Sequence, residues 1–287
     1  MRLPVRVAML GVTMNLALWK KAVSDAWLPL AVSSALLILF CWLFVWLMSF
    51  FDVGAWGSLL NLMPNFIQPM LGVPLAKLAS PAGQLSILFT HVVTILVCVG
   101  WAVGRGSDSI SGEIGRGTMD LLLSLPVWRI SVMAAPAVVA TVGAAVLAGS
   151  VLAGMGVGLL CVRFHNPPPF AQFLPGAANL FAMTFCFTGI ATFLSSWNRD
   201  RWRTISLAGG VFVLSMILMF VARIWHGGWW LGCFSFLSLF QPQEIILAPK
   251  PDIWPGFRYD VLLVLIGLLA YAMAAVVFWR RDIPAPR

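Results

Sequence analysis

The sequence predicts an all-α membrane protein with six transmembrane helices, and three observations carry that prediction. The mean hydropathy is +0.94 and only 10% of the residues are charged, which excludes a soluble domain of this length. Several continuous apolar runs approach the roughly 20 residues that a helix needs to cross a bilayer. Backbone groups inside lipid must be hydrogen-bonded within the protein, and runs without apolar–polar alternation exclude a barrel, so the spanning elements are helices.

Six apolar runs mark the predicted spans of a single transmembrane domain that occupies the whole chain, residues 1–287. The spans cover about 28–50, 85–104, 131–160, 174–196, 204–225 and 260–279. Tryptophans, which favour the membrane–water interface, lie near the span ends; they are Trp27, Trp101, Trp197, Trp202, Trp225, Trp229, Trp230 and Trp279. The third run is too long for one straight crossing and contains Pro136, which predicts a kink or an interfacial first turn.

The stretch before the first span, residues 5–26, is predicted to form an amphipathic helix on the inner membrane surface. Polar residues interrupt its apolar positions, so it does not resemble the apolar core of a signal peptide. Asp25, Trp27 and Pro29 are expected to mark the turn from this interfacial helix into the first span.

The distribution of lysine and arginine predicts which ends of the spans face the cytoplasm. With the N-terminal stretch inside, the inner segments hold thirteen of the 18 basic residues and the outer segments hold five. This bias follows the positive-inside rule and places both chain ends and the loop 105–129 in the cytoplasm. Basic inner loops that face anionic lipid also account for the formal net charge of +8, so no nucleic-acid partner is expected.

The sequence contains no pattern typical of a catalytic or cofactor-binding site. Its five cysteines are scattered and its three histidines do not cluster, so no metal site is expected. Neither a nucleophile–base pair nor a His-Glu-x-x-His motif lies in the spans, which argues against an intramembrane protease. None of the four lysines belongs to the Gly-x-x-x-x-Gly-Lys loop that binds ATP phosphates. A non-catalytic chain without a cofactor of its own is therefore predicted.

One loop between two apolar runs has an organised polar pattern. On a helix of 100° per residue, the polar residues of 113–125 fall within one arc and the leucines lie opposite. The arc holds Glu113, Arg116, Gly117, Asp120 and Ser124. Gly115 and Gly117 predict a break in this helix. Thr118 would then cap a second short helix, which Pro126 ends. The pattern leaves open whether the segment is a stabilised interfacial loop or a docking element.

The same segment carries a family resemblance. The stretch GEIGRGTMDLLLSLPVWR, residues 112–129, closely resembles the cytoplasmic segment that follows the second span in bacterial ABC-2 type transporter permeases. It departs from the family pattern at Ile114 and Trp128. Three further stretches are similar to family features: KLASPAGQL (77–85) to the lead into the second span, WKKAVSDAW (19–27) to the surface helix, and FWRRDIP (278–284) to the basic C-terminal end.

The resemblance implies the transmembrane permease subunit of an ATP-driven ABC exporter in a bacterial inner membrane. A separate ABC-type ATPase subunit would bind ATP and Mg. A groove of this subunit would also bind a short cytoplasmic coupling helix within 112–126. The residues carried over to this coupling role are Glu113, Gly117, Thr118, Asp120, Leu122 and Pro126. A second permease subunit, identical or paralogous, is implied as well, because the family's pathway lies between two such subunits.

Two questions stay open at the level of the sequence. Gly154 and Gly158 form a GxxxG pair in the third span, which suits either contact between two permease subunits or packing within one chain. No ionisable group lies deep in a span to mark an ion route, and the cargo is not indicated.

A structural subunit of a membrane complex that has lost transport is the alternative to a permease, because its interfacial loop and packed helices would look the same.

Overall fold

The computed structural model describes residues 16–51, 56–58, 62, 64, 72–119, 129–162, 167–248 and 254–280. All regular secondary structure in these ranges is helical. Six segments are long and apolar enough to cross a membrane, at the six predicted places, so the predicted fold class is confirmed. These segments are Leu16–Met48, Pro81–Gly115, Ile130–Cys161, Phe170–Trp197, Arg201–Ile224 and Gly256–Arg280.

The α-helices are numbered in chain order. They are α1 (Leu16–Met48), α2 (Leu75–Leu78), α3 (Pro81–Thr90), α4 (Val92–Ser107), α5 (Glu113–Gly115), α6 (Arg129–Cys161), α7 (Leu174–Trp197), α8 (Arg201–Ile224), α9 (Pro242–Ile246) and α10 (Trp254–Arg280). One π-helical turn, Asp108–Gly112, joins α4 to α5. Three 3-10 helices cover Phe170–Phe173, His226–Phe234 and Phe236–Leu239.

The first helix differs from the prediction at its N-terminal end. Helix α1 continues through Pro29 without the turn expected there. Leu18 and Ala26, which precede the proline, are buried like several residues that follow it. Proline has no N–H group, so the helix loses one backbone hydrogen bond at Pro29. We attribute the continuity of α1 to this packing, whose favourable free energy offsets that loss. Residues 16–26 are therefore continuous with the spanning helix, and residues 5–15 lie outside the described ranges.

The second span is broken at His91. Helix α3 ends and α4 begins there because His91 has an extended backbone, with φ −64° and ψ 142°. Its Nδ1 atom accepts a hydrogen bond from the N–H of Val93 at 3.2 Å. The hydroxyl of Thr94 donates to the carbonyl of Leu88 at 2.7 Å. These side-chain hydrogen bonds replace backbone bonds that are lost at the break. They are needed inside a membrane because lipid supplies no hydrogen bonds. The predicted run 85–104 did not indicate the break, because the polar residues at this point, Thr90, His91 and Thr94, are also compatible with a continuous helix.

Helix α7 forms the centre of the bundle and contacts α4, α6 and α10. In the most apolar stretch of its span 72% of the residues are buried, against 11% in the span of α8. Glycines allow its neighbours to approach closely. A Cβ on Gly189 of α7 would lie 2.6 Å from the carbonyl oxygen of Gly267 in α10. A Cβ on Gly106 of α4 would overlap Ala191 of α7. Helix α4, which leads into the site described below, is therefore packed tightly against this central helix.

The connection between α8 and α10 folds back into the bundle. Ser235 donates a hydrogen bond from its hydroxyl to the carbonyl of Ser215 at 2.7 Å. Ser215 precedes the end of α8 at Ile224 by about 13 Å along the helix axis. Phe236 stacks on Phe187 of α7, with ring centroids 5.5 Å apart. The chain after α8 is thus a re-entrant segment that packs into the bundle against α7 and α8.

Candidate functional site

The segment after the second span changes its winding twice. Asp108–Gly112 forms one π-helical turn, and Glu113–Gly115 returns to α-helical winding. The chain then turns at Arg116 and Gly117. Gly117 has a φ of +70°, a left-handed conformation that glycine adopts without the steric penalty of a Cβ. The break predicted at the glycines is confirmed.

The carboxylate of Glu113 connects this turn to the first helix. The residue is only 7% exposed. Its carboxylate accepts hydrogen bonds from Lys21 of α1 and from the hydroxyl of Thr118. Arg116 donates a third bond at 2.7 Å. Bonds between charged partners are roughly twice as strong as neutral ones, so Glu113 joins α1 firmly to the turn.

A second carboxylate, that of Asp108, connects the turn to α8. One oxygen accepts from Arg116 at 2.7 Å and from Arg201, the first residue of α8, at 3.2 Å. The other oxygen lies 3.9 Å from the guanidinium of Arg105. A Cβ on Gly112 would lie 2.5 Å from the carboxylate oxygen. Residue 112 must therefore be small for the Asp108 side chain to occupy this position.

Arg116 bridges the two carboxylates. One guanidinium nitrogen donates to Asp108 and the other to Glu113, both at 2.7 Å. Partial burial by itself would lower the pKa of Arg116, but the bonds to the two carboxylates outweigh it and raise the pKa above its usual range. The side chain is still 42% exposed, so a charged group at the surface is bonded directly to the buried network.

The network brings three separate parts of the sequence to one end of the bundle. These are the start of α1, the turn after the second span and the start of α8. Arg105 adds a bond to α1 by donating to the carbonyl of Asp25 at 3.1 Å. A cavity of about 40 Å³ between these groups is lined by side chains of both charge signs. Among the described residues, no three His, Cys, Asp or Glu side chains come together to form a candidate metal site.

The turn exposes a small tip and buries its apolar side. Gly115, Arg116 and Gly117 are exposed, and we call these three residues the tip. Ile110 and Met119, on either side of the tip, are 1% and 2% exposed. Both belong to an apolar cluster that includes residues of α1, α6 and α10. The tip is therefore a short projection on a firmly packed base.

The whole chain was compared with known protein families and with curated proteins. A family model described as ABC-2 family transporter protein matches residues 19–283, which is nearly the entire chain. The chain belongs to the ABC-2 transporter family. Among curated proteins, no relative matches the chain. The resemblance inferred from residues 112–129 is thereby confirmed at the level of the family, and the chain is a multi-pass membrane protein of the permease type.

The residues predicted to couple this ABC-2 protein to an ATPase lie partly inside the described ranges. Glu113, Gly117 and Thr118 come together at the tip and its base. Their orientation differs from the predicted polar arc in one respect, because Glu113 points into the protein and not toward the cytosol. The remaining three, which are Asp120, Leu122 and Pro126, lie outside the described ranges, as does the rest of the second short helix that was expected to follow Thr118.

Gly154 and Gly158, the GxxxG pair of the ABC-2 protein, pack within the chain. A Cβ on Gly154 would lie 2.6 Å from the carbonyl oxygen of Ile38 in α1. A Cβ on Gly158 would lie 2.6 Å from Cβ of Val45, also in α1. The pair therefore allows α1 and α6 to approach closely, which is the second of the two roles left open by the sequence. An exposed glycine of α6, Gly149, has no atom within 4 Å of its Cβ position.

Sequence reasoning did not identify Asp108, Lys21, Arg105 and Arg201 as site residues. Asp108 was assigned to no site, and the three basic residues were counted among those of the inner segments. Lys21 and Arg201 lie far along the chain from the carboxylates they contact, so no local spacing links them, whereas Asp108 is close in sequence to two of its partners, Arg105 and Arg116. The available signal was the charge complement: two acidic residues, Asp108 and Glu113, precede a glycine-rich turn, and the topology brings basic stretches to the same side of the membrane.

Proposed function

We propose that this chain is the transmembrane permease subunit of an ATP-driven ABC exporter, and that a separate ATPase subunit docks on its tip. One observation carries the docking part: an exposed, glycine-flanked projection lies directly on an ion-pair network whose two carboxylates, Glu113 and Asp108, are only 9% and 14% exposed. The family match supports the permease role. ATP and Mg would be bound by the partner subunit, since the chain lacks the phosphate-binding loop.

The network offers a physical route from the tip to the spanning helices. A partner that moves the tip acts on Arg116, which is bonded to both carboxylates. Glu113 passes the displacement to Lys21 in α1, and Asp108 passes it to Arg201 in α8. Bonded networks and rigid helices are the elements that carry coupling between distant sites. In this proposal Glu113 is an internal residue that connects the coupling segment to α1, and the partner contacts the exposed tip.

The other coupling residues keep the roles that the family resemblance implies. Gly117 supplies the left-handed turn that ends the tip, and Thr118 closes the turn by donating to Glu113. Asp120, Leu122 and Pro126 are proposed to continue the coupling segment beyond the described residues. The side of this segment that carries leucine would lie against the spans, as the burial of Met119 at its start suggests.

A second permease subunit, identical or paralogous, is proposed to complete the pathway. Helix α8 supports this proposal, because most of its apolar surface lies uncovered on this chain. The network end carries Lys21, Arg105, Arg116 and Arg201, and a concentration of basic residues favours the cytoplasmic side. We therefore assign the tip and both chain ends to the cytoplasm of a cell with this protein in its inner membrane.

Substitution of a tip glycine tests the proposal without disturbing the network. Gly115→Trp places a large side chain where no atom lies within 4 Å of the Cβ position, so the isolated permease should fold normally. Gly100→Trp is the matched control, because it has equally open surroundings on the exposed face of α4. The permease and its cognate ABC-type ATPase are reconstituted in liposomes, and ATP hydrolysis is measured with and without the permease.

We expect the wild type and Gly100→Trp to change the hydrolysis rate of the ATPase, and Gly115→Trp to abolish that change. Equal rates for both variants would contradict docking at the tip. A stable complex in which the wild-type permease leaves hydrolysis unchanged would instead favour a structural subunit that does not transport.

A further inference from the structure

A cluster of buried hydroxyls lies directly beneath the ion-pair network and involves none of its charged groups. Ser195 of α7 and Thr204 of α8 are fully buried and face the π-helical turn. The hydroxyl oxygen of Ser195 accepts from the backbone N–H of Ser111 at 2.8 Å and from that of Ile110 at 3.3 Å. It also lies 3.1 Å from the carbonyl oxygen of Ser107, to which it can donate.

Thr204 completes this cluster from the other side of the turn. Its hydroxyl is 3.0 Å from that of Ser111. Ser111 can donate back to the carbonyl of Ser107 at 2.8 Å. Every hydroxyl of the cluster has at least two partners, as buried polar groups require. The close approach of α4 to α7 at Gly106, where a Cβ would overlap Ala191, brings these groups within reach.

The winding of the turn explains why such a cluster is needed. A π-helical turn contains one residue more than an α-helical turn, and such turns are rare and often lie at functional positions. Ser195 supplies a side-chain acceptor to two consecutive N–H groups inside Asp108–Gly112. If this stretch rewound as an α-helix, everything after it would rotate by about 100° and shift by about 1.5 Å. Glu113 would then no longer face Lys21.

We propose that Ser195 and Thr204 are positioning residues of the coupling mechanism, which hold Asp108–Gly112 in π-helical winding and thereby connect the tip to α7 and α8. The inference rests on the proposed function, because it gives these hydroxyls a part in transmission. It also adds the central helix α7 to the route, whereas the ion pairs among the described residues connect the turn to α1, α4 and α8. Neither residue contacts the cargo or the ATPase in this proposal.

Two substitutions remove the hydroxyls with little change in volume: Ser195→Ala and Thr204→Val. Each has a matched control whose hydroxyl bonds only a carbonyl of its own helix in the described contacts. Ser86→Ala in α3 removes a bond to Gly83, and Thr188→Val in α7 removes a bond to Thr184. The conservative variants Ser195→Thr and Thr204→Ser keep the hydroxyl.

Amide hydrogen exchange of the permease alone, followed in peptides that cover 108–113, tests the cluster without any partner. We expect exchange to rise about threefold to tenfold in Ser195→Ala, the change that loss of one ordinary hydrogen bond produces. A smaller rise is expected in Thr204→Val. The two controls and the two conservative variants should match the wild type. Unchanged exchange in Ser195→Ala would overturn the proposal at the level of the structure.

Co-purification with the ATPase and its hydrolysis rate then test the role in coupling. Both hydroxyl-deleted variants should retain the ATPase, because the tip is intact, but should lose most of the effect of the permease on hydrolysis. A merely structural role predicts that binding and coupling fall together, and that result, or normal coupling despite raised exchange, would overturn the proposal. If the wild type itself has no effect on hydrolysis, the proposed function fails and the coupling role fails with it, while the exchange data still decide whether the hydroxyls hold the turn.

Discussion

Lys21 and Glu113 lie 92 positions apart in the sequence, and their side chains form an ion pair that joins α1 to the turn after the second span. The pair is asymmetric, because the lysine side chain is 41% exposed and the glutamate side chain only 9%. The buried carboxylate of Glu113 therefore needs its hydrogen-bond partners to replace water, whereas the exposed ammonium group of Lys21 can still be hydrated. This relationship makes the turn a part of the helical bundle instead of a free loop.

The Lys21–Glu113 pair should contribute measurably to stability. We expect Glu113→Gln to lower the free energy of unfolding by about 2 kcal/mol, since it weakens charge-assisted bonds to Lys21 and Arg116. A double-mutant cycle with Lys21→Met should give a coupling energy of about 0.5–3 kcal/mol. Thermal unfolding in detergent measures both. Glu244→Gln, at an exposed position outside this network, is the control, and a coupling energy near zero would show that the pair does not hold the turn.

The two tip glycines should respond in opposite ways to alanine. Gly117→Ala forces a Cβ into a left-handed conformation with φ +70° and should destabilise the fold by about 1–2 kcal/mol. Gly115 has a right-handed conformation in open space, so Gly115→Ala should be neutral or stabilise by up to about 1 kcal/mol. Chemical unfolding of the two variants side by side provides the measurement. Equal effects would mean that the turn is not built on Gly117.

The GxxxG pair should behave as an internal contact. Gly154→Leu must displace Ile38 and Cys41 of α1, so we expect a loss of several degrees in Tm or a failure to fold. Gly149→Leu, on the same helix with open surroundings, should leave the Tm of the single chain unchanged. A Gly154→Leu variant with a normal Tm that loses only its oligomeric state would instead place the pair between two subunits.

The break at His91 should depend on the hydroxyl that crosses it. Thr94→Val keeps the shape of the side chain but leaves the carbonyl of Leu88 without its donor. We expect a loss of about 1–3 kcal/mol in the free energy of unfolding. Thr188→Val, which removes a hydroxyl bond within one continuous helix, should have a smaller effect. Equal losses would indicate that the break needs no support from this side chain.

The sequence was most informative about the number and places of the spans. Long apolar runs can be satisfied in a membrane only by helices, and all six runs became helices. The break at His91 could not be predicted, because it depends on side-chain bonds and not on average hydropathy. The continuity of α1 through Pro29 was missed for a related reason, since it depends on the packing of Leu18 and Ala26 and not on the local tendency of a proline to end a helix.

The site was predictable as a segment but not as a network. The glycines indicated the turn, and the resemblance of residues 112–129 indicated the family, which the comparison confirmed. The amphipathic pattern placed Glu113 on an outward arc, whereas ion pairs with Lys21 and Arg116 draw it inward. Periodicity reports which residues share a face of one helix. It does not report which distant side chains lie opposite that face, so Asp108 and Arg201 stayed unnoticed.

Photo-crosslinking at Gly115 tests the central claim most directly. A benzophenone amino acid at this position projects into open space on the isolated chain, and the same group at Gly100 on the exposed face of α4 is the control. In membranes that contain the permease and its cognate ABC-type ATPase, we expect irradiation to join the ATPase to position 115 and not to position 100. A probe at position 115 that captures only lipid, while the complex with the ATPase stays intact, would contradict docking at the tip.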